Sequence, residues 1–124
     1  MFRHFYSFHR YAFSGVAFSA AKESLTIDWC KQPDRGLPKP DLVCFLDVSA
    51  EEARKRGGFG KEKYEETGFQ ARVRENYLKL MEDNWKTVNT DKKSVEEVYT
   101  ELSALVRAEM EKEDNRPLDL LWPM

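Results

Sequence analysis

The chain has 124 residues and 14.6 kDa, a length that holds one domain at most. Hydrophobic residues make up 41% and aromatic residues 13% of it, which is enough for a core and excludes a disordered chain although 34% of positions are charged. With 20 Lys and Arg against 22 Asp and Glu the formal net charge is −2, and a generic nucleic-acid binder is excluded because it needs a dominant basic field.

Cys30 and Cys44 are too few for a disulfide framework and are not spaced as metal ligands, which fits a reducing intracellular compartment. No stretch approaches the roughly 18 consecutive apolar residues that span a bilayer, and the opening residues lack the apolar region of a signal peptide. The expectation is a soluble, cytoplasmic protein with no membrane partner. Arg3 and Arg10, with no acid before Glu23, leave a mitochondrial pool open alongside a nuclear one.

In chain order, Phe13 to Trp29 carries Val16, Ala17, Ala20 and Ala21 at mixed helical spacing and predicts one or two short helices. Pro33, Gly36, Pro38 and Pro40 then force a loop, because each proline removes a backbone donor. Six of the eight positions from Asp41 to Val48 are apolar without alternation, the pattern of a strand covered on both faces, as in a parallel α/β sheet. Ser49-Ala50-Glu51-Glu52 matches a capping box and predicts a short helix, which gives way at Gly57-Gly58-Phe59-Gly60. Phe69, Val73, Tyr77, Leu80 and Met81 define the apolar stripe of the next helix. A second strand is predicted at Trp85 to Asn89. A second capping box, Ser94 to Glu97, opens a helix with the stripe Val95, Val98, Leu102, Leu105, Val106 and Met110. The tail from Asn115 is expected to be extended or partly docked through Leu120, Leu121 and Trp122.

The alternation of helix and strand predicts an α/β fold. Two parallel strands cannot bury both faces of a sheet, so the remaining strands are expected either from another chain or from a larger domain of which this is the C-terminal part.

Two segments suggest chemistry. Arg10-Tyr11 stands at the entry to the first helix, where free amides, the helix dipole and the guanidinium fork suit phosphate oxygens; an exposed Arg beside a packed Tyr is the structural alternative. Arg54, Lys55, Arg56, Lys61 and Lys63 surround the glycine run, the composition of a mobile loop that closes over phosphates or, equally, of a solvated turn. Glu62 after Gly60-Lys61 excludes a P-loop there, and Glu62, Glu65 and Glu66 interrupt any nucleic-acid surface.

The string Arg10-Tyr11-Ala12-Phe13-Ser14-Gly15-Val16-Ala17-Phe18, with Asp28 to Asp34, Gly36 to Val43, Lys55-Arg56-Gly57, Phe59-Gly60 and Tyr64-Glu65, closely resembles the C-terminal part of eukaryotic thymidylate kinase. The resemblance runs from Arg10 to about Trp122 and implies a partial P-loop kinase fold of the nucleoside monophosphate kinase type, a parallel sheet with flanking helices whose N-terminal strands are missing. It implies residues 10–124 as that partial domain, with a lid at about 54–66 and residues 1–9 as a non-family start in which Phe2, Phe5, Tyr6 and Phe8 mimic a lost strand.

The implied function is ATP-dependent phosphorylation of dTMP to dTDP with Mg²⁺, by a homodimer when the enzyme is complete. The resemblance places Arg10 on the phosphates being joined, Tyr11, Ser14, Gly15, Phe18, Tyr64 and Glu65 around dTMP, and Arg56, Lys63 and Lys92 around ATP. No residue of the chain is implied as a metal ligand. His9 stands where the family motif has Asp, and imidazole does not replace a hard anionic ligand for Mg²⁺. The family's P-loop precedes the matched region, so the chain as given is expected to be truncated and weakly active or inactive, the alternative being a non-catalytic nucleotide-binding or dimer-forming fragment.

Overall fold

The computed structural model describes residues 7, 10–22, 24–55, 67–112 and 118–123. Helix α1 spans Ala12–Ala20 and α2 Ile27–Lys31, followed by a 3₁₀ turn at Gln32–Asp34. Strand β1 is Val43–Asp47, α3 Ala50–Lys55, α4 Thr67–Leu80, β2 Trp85–Asn89 and α5 Val95–Glu111. The predicted order of elements and the α/β class hold, with β2 at its predicted limits and β1 inside its predicted ones. The predicted helical region breaks after Ala20 and resumes once Thr26 caps α2, its hydroxyl accepting from the Trp29 amide at 3.1 Å.

The two strands pair in parallel, Val43 opposite Trp85 through Asp47 opposite Asn89. A parallel pair requires a crossover. Here α3, residues 56–66 and α4 make it.

The core sits between α1 and α4. Phe13, Val16 and Ala17 lie at the i, i+3, i+4 spacing of one helix face and are 4%, 1% and 0% exposed. They meet Phe69, Val73 and Leu80 from α4 and Trp85 from β2. Ala17 carries only a methyl, so α4 can approach closely enough for the buried Asn76 to donate its Nδ2 to the Ala17 carbonyl at 3.0 Å. Phe13 packs edge-on against Trp85, ring centroids 4.9 Å apart, and against Trp122 at 5.7 Å.

That last contact belongs to the docked tail. The Leu121 amide donates to Leu37, the Gly36 amide to Leu121 and the Lys39 amide to Asp119, at 2.8 to 2.9 Å. Gly36 takes φ +87°, a backbone that side chains disfavour, and so turns the proline loop toward the tail. Leu121 is buried, Trp122 half-buried, and Lys31 lies 5.3 Å over the Trp122 ring. Leu120, expected among the docking residues, makes a bridge to Pro38 through its backbone while its side chain stays exposed.

The two capping boxes differ. At Ser94 both arms form: its hydroxyl accepts from the Glu97 amide, and Glu97 accepts from the Ser94 amide, each at 3.1 Å. At Ser49 only the forward arm follows the expectation, the hydroxyl accepting from the Glu52 amide at 3.1 Å. The Ser49 amide donates instead to Asp91 Oδ1 at 2.9 Å, because the turn after β2 brings a second carboxylate to the helix start.

Candidate functional site

The entry to α1 and the C-terminal ends of the strands hold the candidate residues. Arg10 is exposed and takes φ +59°, and Lys92, also exposed, takes φ +58°. Among the described residues the only other non-glycine position with positive φ is Trp122. Left-handed backbone costs a residue with a Cβ about 1 kcal/mol or more, and such strain gathers where a side chain must be aimed.

Tyr11, at the N-cap position of α1, makes no side-chain cap but donates its hydroxyl to the Pro38 carbonyl at 2.8 Å. This ties the head of α1 to the segment leading into β1. Ser14 Oγ accepts from the Tyr77 hydroxyl at 2.8 Å, and the Tyr77 ring lies 4.9 Å from that of Phe45 on β1. Gly15 is exposed, and a Cβ built there would meet nothing within 4 Å, so packing does not demand glycine at this position.

Phe18, 37% exposed, meets the Phe69 ring edge-on at 5.1 Å. Two cations flank this pair: Lys22 Nζ is 5.8 Å from the Phe18 ring, and Arg72 Cζ is 5.6 Å from the Phe69 ring. Arg72 is held by donating Nε to the Ala21 carbonyl at 3.0 Å. Phe69 is buried and only Phe18 is partly open, and such a partly open ring with a cation beside it can take a flat conjugated ring.

At the far ends of the strands, Asp47 and Arg74 form a bidentate pair, Nε to Oδ1 at 2.9 Å and Nη2 to Oδ2 at 2.8 Å. Hydrogen bonding to Asp47, then its charge, pushes the Arg74 guanidinium above its ordinary pKa. The Asp47 carbonyl accepts from the Thr90 amide at 2.8 Å and from the Thr90 hydroxyl at 3.1 Å. The Asp91 amide donates to Asn89 Oδ1 at 2.8 Å, closing the turn that carries Lys92. Ligands of open α/β sheets bind outside these carboxyl ends.

Tyr11, Ser14 and Phe18 therefore share α1, which packs on α4, whereas Lys92 belongs to the strand ends and not to that group. Arg56, Lys63, Tyr64 and Glu65, and His9, lie outside the described residues. Reading the sequence missed Arg72, Lys22 and the Asp47–Arg74 pair. Asp47 and Arg74 stand 27 positions apart with nothing local to couple them. No group of three or more His, Cys, Asp or Glu that could hold a metal forms among the described residues, and both Asp47 oxygens are taken by Arg74. Cys30 and Cys44 are free thiols, and burial pushes the Cys44 thiol up.

A family model described as thymidylate kinase matches residues 7–102. The chain belongs to the thymidylate kinase family. Human thymidylate kinase is 49% identical over 116 residues, which cover 91% of this chain and 54% of that protein. The Danio rerio thymidylate kinase is 41% identical over the same number of residues, again 91% of this chain and 54% of the relative. Among solved structures, the thymidylate kinase of Candida albicans superposes with a TM-score of 0.73 at 33% identity, covering 90% of this chain and 58% of that one. The parallel pair and its helices are thus part of the thymidylate kinase fold, and the chain spans about half the length of the curated relatives it matches. No described helix is long and apolar enough to cross a membrane.

Proposed function

We propose that residues 10–124 supply the acceptor-side part of a dTMP kinase, which transfers the γ-phosphate of ATP to dTMP to give dTDP. The observation that carries this reading is the family match over residues 7–102, which contains every candidate residue from Arg10 to Lys92. In it, Arg10 neutralises charge between donor and acceptor phosphates, its strained backbone aiming the guanidinium from the head of α1. Phe18, backed by the buried Phe69, receives the flat face of the thymine about 9 Å along α1 from its first residue, Ala12, at 1.5 Å per residue. Tyr11 and Ser14 hold this wall in place through Pro38 and Tyr77. Tyr64 and Glu65 close the dTMP side, while Arg56, Lys63 and Lys92 serve ATP. The family resemblance also implies Mg²⁺ with the ATP, and the described residues are assigned no step on it.

The working form is a homodimer in the cytoplasm, with no nucleic acid or membrane partner. The test is ADP production from ATP and dTMP, measured for the purified chain and for the same chain joined to the portion of human thymidylate kinase that lies outside the match. Turnover by the joined chain that requires dTMP is the expected result. Nucleotide binding without turnover in the joined chain overturns the catalytic reading and leaves a binding fragment.

A further inference from the structure

Of the three described non-glycine residues with left-handed backbone, two stand at opposite ends of one chain of contacts: Arg10, φ +59°, and Trp122, φ +43°. Trp122 is held in that conformation from several sides. Arg35 Nη1 donates to its carbonyl at 2.9 Å, although Arg35 Nε is left buried without a partner, and Lys31 lies over its ring. The backbone pairing of Leu37 and Lys39 with Leu121 and Asp119 seats the ring at the head of α1. There it meets Phe13 edge-on at 5.7 Å, and the Phe13 ring meets that of Tyr11 at 6.3 Å. Tyr11 is tied a second time, by its hydroxyl to the Pro38 carbonyl, and Pro38 pairs with Leu120 of the same tail.

Tyr11 and Phe13 are the first and third residues after Arg10. Among the described residues no hydrogen bond or ion pair reaches the Arg10 guanidinium, so its aim depends on the backbone at the start of α1. A helix end that lacks packing frays, and a misplacement of about 1 Å in a charge-stabilising group can cost about 10² in rate. Building on the reading of Arg10 as the group that neutralises phosphate charge, we infer that Trp122 is a positioning residue. By packing on Phe13 it fixes the head of α1 and keeps Arg10 aimed at the phosphates being joined.

Trp122→Ala removes the ring, and Trp122→Phe keeps an aromatic edge for Phe13. In the chain joined to its complementary portion from human thymidylate kinase, Trp122→Ala should lower kcat at least fivefold with the KM for ATP within twofold, and Trp122→Phe should recover at least half of kcat. Added to Arg10→Ala, Trp122→Ala should cost nothing further, because a residue that acts through Arg10 has nothing left to position. Leu118→Asp, on the same tail at a position 74% exposed, should leave kcat unchanged. In the 124-residue chain, nitrogen-15 relaxation gives a readout independent of turnover: in Trp122→Ala the order parameters of the Arg10 and Tyr11 amides should fall from about 0.85 toward 0.6, with those of α4 unmoved. Equal kcat in Trp122→Ala, a further loss in the double variant, or an unmoved head overturns the inference. Loosening of α4 together with the head also overturns it, since Trp122 then holds the fold and not the aim of Arg10. Absence of dTMP-dependent turnover in the unsubstituted joined chain overturns the kinase reading itself, and the role of Trp122 with it.

Discussion

Helices α1 and α5 carry the same kind of apolar periodicity and meet opposite fates. In α1, Phe13, Val16 and Ala17 are closed off by α4, Trp85 and the docked tail. In α5, a longer stripe with both arms of its capping box in place has no buried residue. Amphipathic patterning therefore specifies which face a helix must cover, but not that its cover lies within the same 124 residues. The apolar face of α1 finds its cover within the described residues, whereas α5 keeps no fully buried residue.

The sharpest way to break that contrast is to remove one apolar side chain from each region. Phe13→Ala deletes a ring that touches Trp85 and Trp122 and should destabilise the chain by about 3–5 kcal/mol in urea unfolding. Val106→Ser should stay within about 0.5 kcal/mol, because its side chain is half in water already. Similar losses at the two sites would mean that α5 is packed after all.

At the head of α1, Arg10→Ala in the chain joined to its complementary portion should lower kcat by about 10² or more, with folding unchanged. An unchanged kcat removes Arg10 from the chemistry. At the strand ends, Asp47→Asn breaks the bidentate pair. With Arg74 about half exposed, it should cost about 1 kcal/mol or less, an effect that shrinks further in high salt.

A local effect of similar size concerns the cap of α5. Ser94→Ala should cost about 1 kcal/mol, read as lost helicity. Hydrogen bonds from the Ser94 amide and then its hydroxyl hold the Glu97 carboxyl below its ordinary pKa. The folded state thus prefers the ionised form, and this contribution is present above the ordinary carboxylate range and lost as pH falls through the lowered value. Circular dichroism of the wild-type chain should show α5 fraying on acidification, and Ser94→Ala should shrink that step without removing it, because the amide at position 94 still donates to Glu97.

Local signals made most of this fold legible. The uninterrupted apolar run marked β1, the Ser94 box marked the start of α5, and the prolines marked the loop that receives the tail. What stayed hidden is non-local. Asn76 reads as a polar position on an amphipathic helix, yet it is buried because Ala17, on a helix 59 residues earlier, is small enough to admit it. The capping box at Ser49 was half right because Asp91, 42 residues away, supplies the second carboxylate. The candidate site divides in the same way. The family strings led to Arg10, Tyr11, Ser14 and Phe18, but Lys22 and Arg72 join the aromatic pair only once α1 and α4 are packed together.

Hydrogen exchange of the α5 amides, with and without the complementary portion joined to the chain, tests the contrast most directly. The account predicts that α5 exchanges far faster than α1 and α4 in the chain alone and slows at least tenfold when the portion is present. Amides of α5 already as protected as those of α4, and unmoved by joining the two portions, would contradict it.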